Sequence, residues 1–295
     1  MKNKLLFITL SNIGDAIMTT PVLEYMFKKN PNCIVDVVCD KKSYEVFEFC
    51  PFVNKIFIKD KSKGFLGNLA LLKELRKENY DIAIDLRTDI YLHMIHSKQK
   101  FFKVNNTKIH SVEKHFASLG LNEKIIKKTK FWISKKIEQE SFKLIKKKDQ
   151  KILSIGLGAN SSFKIWPTEN YIKLSNYLKE KFDLILLVGS NEDRKYSNKF
   201  ISETKLNTID FCGKLSLSRS AAIIKLSDYF VGNDSGLGHI ASAFGVPSFT
   251  IFGEGQPERY SPWGPQAEWY QNKEKKIDEI KPEIIRDLIL QVLED

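Results

Sequence analysis

The feature that most constrains this 295-residue chain is an alternation of short, unbroken apolar runs with amphipathic stretches, carried through twice. KLLFITL opens it at 4–10. Helical spacing follows from about Asp15 to Lys29, with Ile17, Val22 and Met26 toward one face. IVDVVC (34–39) and VNKIFIK (53–59) come next, then the amphipathic LGNLALLKELRKENY (66–80) and DIAIDL (81–86). Apolar runs separated by helices fit a parallel sheet covered on both faces, because only such strands have no solvent side to alternate toward. After a Lys-rich helical stretch near 135–148 the pattern restarts with KILSIGLG (151–158), a helix opened by Trp166-Pro167-Thr168, and DLILLVG (183–189). TIDFCG, SLSRSAAIIKL, DYFVGND, GLGHIASAFG and PSFTIFG complete it up to Gly253. The final PEIIRDLILQVLED places Ile285, Leu288 and Val292 on one helical stripe. The expected class is α/β, with two doubly wound, Rossmann-like domains facing across a cleft: residues 1–148, residues 149–276, and a C-terminal helix in 277–295 packing back on the N-terminal domain.

Composition narrows the function. No stretch approaches the roughly 18 apolar residues of a membrane span. The charged start and brief apolar run of MKNKLLFITLSNIGDA are too short for a signal peptide and continue into a patterned helix. Cys33, Cys39, Cys50 and Cys212 have no metal-ligand spacing and read as reduced thiols of a cytoplasmic protein. The formal net charge is +11, and residues 121–151 carry eleven Lys against four acids. Such a stretch either rests on an anionic membrane or acceptor surface or is a solvated helix face. Nucleic acid is not expected as a partner, since the basic stretch lacks interleaved aromatics and Arg is scarce.

In doubly wound sheets, ligands bind in the turns beyond the C-terminal strand ends. One such turn is VGNDSGLGH (231–239). A helix N-terminus offers unpaired N–H groups and partial positive charge. Gly236 and Gly238 would let a phosphate come close, and Ser235 can donate to one of its oxygens. A pyrophosphate suits that corner. The Asp234 carboxylate instead suits sugar hydroxyls or a helix cap, and His239, one turn in, could reach a phosphate. An ordinary capped helix with a packed histidine is the plainer reading. The turn SNIGDA (11–16) holds the other candidates. Gly14 suggests close approach of a ligand or backbone. Asp15, at a helix N-terminus that favours its ionised form, could cap that helix or take a proton from an incoming hydroxyl. Neither a GxGxxG fingerprint nor a P-loop lysine is present.

Together SNIGDAIMTTPVL, the segment from Gly213 to Gly253 and ERYSPWGP (258–265) resemble glycosyltransferase family 9, the heptosyltransferases of lipopolysaccharide core assembly, over nearly the whole chain. The resemblance implies a GT-B fold, with the acceptor on the N-terminal domain and the donor on the C-terminal one. It further implies inverting transfer without a metal, usually from ADP-heptose, with no cofactor. Asp15 matches the base. Asp234, Ser235, Gly236 and His239 match contacts to donor sugar and diphosphate, with Leu237 in the same donor-binding turn. Lys164 matches a lysine that supports the leaving group. Lys164, His239 and the corner amides can stabilise charge on a departing diphosphate, and no DxD metal motif occurs in the sequence.

The chain also departs from that pattern. Where the family often carries paired threonines, it reads GANSSFKIW, so Asn160, Ser161 or Ser162 would contact the donor. After the fourth strand it reads IDLRTDIYLHM, placing Arg87 and Asp89 with Asn12 on the acceptor side, so the acceptor is expected to differ from the usual core sugar. Glu192, after DLILLVG, could bind donor hydroxyls or serve as a first-turn helix acid. The expected partners are a nucleotide sugar and an anionic, lipid-linked saccharide at the inner face of the cytoplasmic membrane. A family member using another nucleotide sugar or a protein acceptor, a sugar epimerase of similar fold, and a nucleotide-sugar-binding protein without activity are the rival readings.

Overall fold

Both apolar alternations fold as the parallel-sheet units their pattern implies. The computed structural model describes residues 3–87, 90–121, 128–145 and 149–294, and its compact units are Met1–Trp132 and Ile133–Asp295. The first unit runs β1 (Lys4–Ile8), α1 (Ile13–Lys29), β2 (Ile34–Asp40), α2 (Tyr44–Phe47), β3 (Val53–Lys59), α3 (Gly64–Leu75), β4 (Tyr80–Asp85), α4 (Ile90–Met94), β5 (Ser97–Phe102) and α5 (Ser111–Ala117). Its sheet has the order β3-β2-β1-β4-β5, every pair parallel. Leu6, Ile8, Val38 and Ala83 from the central strands pack with Leu71, Leu72 and Leu75 of α3 and Tyr91 and Leu92 of α4.

The second unit runs α6 (Lys135–Ile145), β6 (Ile152–Gly156), α7 (Thr168–Tyr177), β7 (Leu184–Leu187), α8 (Arg194–Glu203), β8 (Thr208–Asp210), α9 (Leu217–Lys225), β9 (Tyr229–Asn233), α10 (Gly236–Phe244), β10 (Ser248–Phe252), α11 (Pro257–Tyr260), β11 (Ala267–Gln271) and α12 (Pro282–Glu294). Its six strands, in the order β11-β10-β9-β6-β7-β8, are likewise parallel. Strand order reverses at β9–β6, where ligand sites of such sheets form.

The division falls at 132/133 rather than at 148/149. Trp132 packs on Phe47 and Phe52, and the Lys130 N–H donates to Thr20 Oγ1 of α1 at 2.8 Å, which holds this segment to the first unit. Helix α6 belongs to the second unit. Its Glu140 accepts from Arg219 of α9 at 2.7 Å and its Glu138 pairs with Lys225. The helix expected near 135–148 is present at Lys135–Ile145 and is tied to α9 through its acids. Helix α12 also differs from expectation: it lies against α7, with Ile285 and Ile289 fully buried in the core of the second unit.

Helix α1 contains Pro21, which cannot donate to the Ile17 carbonyl one turn back. The Thr20 hydroxyl donates to that carbonyl at 2.7 Å instead, so the helix continues through the proline.

Candidate functional site

The donor-side corner is built on Asn233, the last residue of β9. Its buried amide donates to the Leu157 carbonyl after β6 at 2.8 Å. Its Oδ1 accepts from the Trp166 N–H at 3.0 Å and from the Tyr171 hydroxyl at 2.9 Å. Burial pushes the Tyr171 phenol well above its ordinary range, which keeps it a donor. Trp166, fully buried, stands edge-on to Tyr171 and donates from its indole to the Ile280 carbonyl. One amide thus gathers β6, the 157–166 loop and α7 at the end of β9. No motif singled Asn233 out; the available signal was an Asn between a buried strand and an Asp-Ser turn.

On that frame the Lys164 ammonium reaches the Asp234 carboxylate at 2.5 Å, both side chains being partly buried. Asp234 is therefore not the helix cap. Ser235 is: its Oγ accepts from the Leu237 N–H at 3.4 Å, and its own hydrogen remains to donate. Gly236 opens α10, and His239 is buried in its first turn. A β-carbon on Gly238 would stand 3.0 Å from Thr250 Oγ1 and 3.1 Å from a Pro262 carbon. This glycine admits the close packing of α10 on β10 and the following loop. Leu237 lends its N–H to the cap, and its side chain packs close against Gly156.

Asn160, Ser161 and Ser162 follow β6 in the loop that ends at Lys164, with Asn160 and Ser162 exposed. Glu192 is exposed in the turn after β7, where its neighbour Asp193 has the structural role. The Asp193 carboxylate accepts from the Ser190 N–H at 2.7 Å and the Ser190 hydroxyl at 2.9 Å. A β-carbon on Gly158 would lie 1.8 Å from an Asp193 oxygen, so that glycine exists to admit this carboxylate. Asp193 thereby locks the turns after β6 and β7 together.

On the first unit, Asn12 is the N-cap position of α1, and Asp15 is the third helical residue rather than the cap. The Asn12 amide donates to Asp15 Oδ2 at 2.9 Å, and Gly14 between them is buried. Asp15 thus stands at the C-terminal edge of its sheet, oriented by a neighbouring amide. Arg87 follows β4 at the same edge. Its N–H donates to Asp85 Oδ1 at 2.8 Å, and its carbonyl accepts from Lys103. Its Nη1 is buried without a hydrogen-bond partner among the described residues. Asp89 lies outside the described residues, as do 122–127 and 146–148 of the basic stretch. Among the described residues no three His, Cys, Asp or Glu side chains are grouped to hold a metal, and no helix is long and apolar enough to cross a membrane.

The structure therefore brings Lys164, Asp234 and Ser235 to one corner and Asn12 with Asp15 to another, each at the C-terminal edge of a parallel sheet. The groups present are a carboxylate held by a neighbouring amide on one unit, and a lysine–aspartate ion pair beside a helix N-terminus on the other.

Comparison with known proteins agrees with both units. A family model described as "Glycosyltransferase family 9 (heptosyltransferase)" matches residues 96–287. A lipooligosaccharide heptosyltransferase 2 from Campylobacter jejuni is 26% identical over 262 residues, covering 85% of this chain and 82% of that protein. Among solved structures, a family 9 glycosyl transferase from Veillonella parvula has a TM-score of 0.85 at 21% identity, covering 100% of this chain and 99% of that one. The ADP-heptose lps heptosyltransferase II of E. coli has a TM-score of 0.81 at 19% identity, covering 98% of each chain. The fold is thus GT-B, two Rossmann-like domains in one chain.

Proposed function

The chain belongs to glycosyltransferase family 9, and from that premise we propose that it moves heptose from ADP-heptose to a hydroxyl of a lipopolysaccharide-type core saccharide, with inversion and without a metal. The ion pair between Lys164 and Asp234 beside the α10 N-terminus carries this reading. A sugar diphosphate has the charges to exchange with that pair. Lys164 would turn to the diphosphate, and Asp234, relieved of its cation, would accept from sugar hydroxyls. The N–H groups at the start of α10 and the Ser235 hydroxyl add donors where negative charge grows, with His239 one turn further in.

Transfer is then a single displacement. The acceptor hydroxyl gives its proton to the Asp15 carboxylate as its oxygen bonds to the anomeric carbon. The bond from that carbon to the diphosphate oxygen breaks on the opposite face, and the electron pair leaves with the diphosphate. Asn12 orients the base through its 2.9 Å hydrogen bond. Arg87, whose buried Nη1 has no hydrogen-bond partner among the described residues, suits an anionic group on the acceptor. The acceptor is lipid-linked in this reading, so the chain works at the inner face of the cytoplasmic membrane, resting there on a basic surface.

Two measurements test it. In a thermal-shift panel of ADP-, GDP-, UDP- and CDP-sugars, the ADP-sugar alone should raise Tm, since a ligand bound only by the folded state stabilises it. Selection of another nucleotide rejects the donor. Asp15→Ala should keep the ADP-sugar shift while transfer, followed by mass spectrometry, falls by about 10²–10⁴. Near wild-type turnover by this variant rejects Asp15 as the base.

A further inference from the structure

The first unit has an apolar face that the proposed chemistry does not use. Phe65 and Leu66, in the first turn of α3, are 74% and 76% exposed, and Leu69 one turn on is also exposed. Phe65 and Leu69 fall on one side of the helix by their spacing of four. Helix α4 lies alongside: the Tyr91 hydroxyl donates to Asn68 of α3 at 2.7 Å, and Arg76 of α3 donates to the Met94 carbonyl at 2.8 Å. From α4, Ile90 is 61% exposed and Met94 half so. Folded domains seldom leave two adjacent helices this bare without something to cover them.

Charge says what covers them. Residues 55–77 carry seven Lys or Arg against two acids. Both acids are used locally. Asp60 accepts from the Ser62 N–H and hydroxyl, and Glu74 pairs with Lys77 at 2.6 Å. An apolar helix tip in a segment with this excess of basic residues suits an interface where hydrocarbon lies under anionic headgroups. A second copy would bring an equally cationic rim against this one.

The sheet places this face usefully. Because β1, β3 and β4 are parallel, the starts of α1, α3 and α4 leave the same sheet edge, and Asp15 stands on it.

We propose that the α3–α4 face, with Phe65 and Leu66 as its wedge, docks this chain on an anionic bilayer surface and thereby presents a lipid-linked acceptor to the edge that bears Asp15. The benefit to transfer rests on the function proposed above; the docking itself does not. The basic stretch 121–151 is then not the principal anchor, although Phe142 and Leu144 in α6 are also exposed.

Flotation of the full chain with phosphatidylcholine vesicles, with and without phosphatidylglycerol, tests this. Wild type should float only with the anionic lipid. The double variant Phe65→Ser/Leu66→Ser should lose about tenfold or more of that partition, with Tm unchanged because both side chains are exposed. Phe142→Ser/Leu144→Ser should float like wild type. The α3 variant should keep full transfer to a water-soluble, delipidated acceptor and lose it on the same saccharide in vesicles. Wild type that ignores anionic vesicles, an α3 variant that floats normally, loss of flotation in the α6 variant instead, or a wild-type dimer that the α3 changes dissolve would each overturn the proposal. Absence of transfer with lipid-dependent flotation intact would reject the proposed reaction and leave the docking face standing.

Discussion

Asn233 and His115 show how much a single buried side chain can decide. Asn233 satisfies a carbonyl, an N–H and a hydroxyl from three segments. Each group left buried and unpaired costs about 1–3 kcal/mol. Asn233→Ala is therefore expected to lower unfolding free energy by roughly 3 kcal/mol or more and to weaken nucleotide binding, since it releases the loop that ends in Lys164. Urea unfolding and ADP titration read the two effects, and a variant as stable as wild type would sink the positioning role. His115 is fully buried on α5 with neither ring nitrogen hydrogen-bonded among the described residues, and burial pulls its pKa down to about 3. Between about 6.5 and 3 the unfolded chain takes a proton on this imidazole that the folded chain refuses, so stability falls as pH falls through that window. The slope from one such group is about 1.4 kcal/mol per pH unit. His115→Leu should flatten the acid side of the stability profile, read from denaturation midpoints at neutral pH and near pH 4; parallel profiles for the two chains would contradict it.

At the scale of elements, α1 depends on a compensation. Thr20 supplies the donor that Pro21 lacks at the Ile17 carbonyl and accepts from the Lys130 backbone. Thr20→Val keeps the shape and removes both bonds, with an expected cost of about 2 kcal/mol. Thr20→Ser should restore most of it, which separates the hydrogen bonds from the packing. Strands with continuous apolar runs were legible because both of their faces are buried. β5 (SKQKFF) and β11 (AEWYQ) were not. Each lies at a sheet edge with half-covered side chains, so neither shows an unbroken apolar run. The glycines of the turns were legible as points of close approach, but not what approaches. Gly158 admits the Asp193 carboxylate, and Gly238 admits Thr250 and Pro262.

For the whole molecule, the position of α6 decides where the chain divides. A fragment beginning at Ile133 keeps α6 and its pairs with Arg219 and Lys225, whereas one beginning at 149 uncovers α9. The longer fragment should melt at the higher temperature by circular dichroism, and equal melting would put α6 outside the second unit. The two-unit α/β plan, the parallel sheets and the turns that bear Asp15 and Asp234 were determined by the sequence alone. Burial on both faces imposes an apolar run on each central strand, and a helix N-terminus selects small and polar residues, all within a few positions of one another. The amide that welds three loops, the Lys164–Asp234 pair across 70 residues, the side on which α6 and α12 pack and the bare α3–α4 face were decided only in the tertiary structure. These rest on contacts between segments far apart in the chain, for which a local pattern of residue types holds no record of the partner.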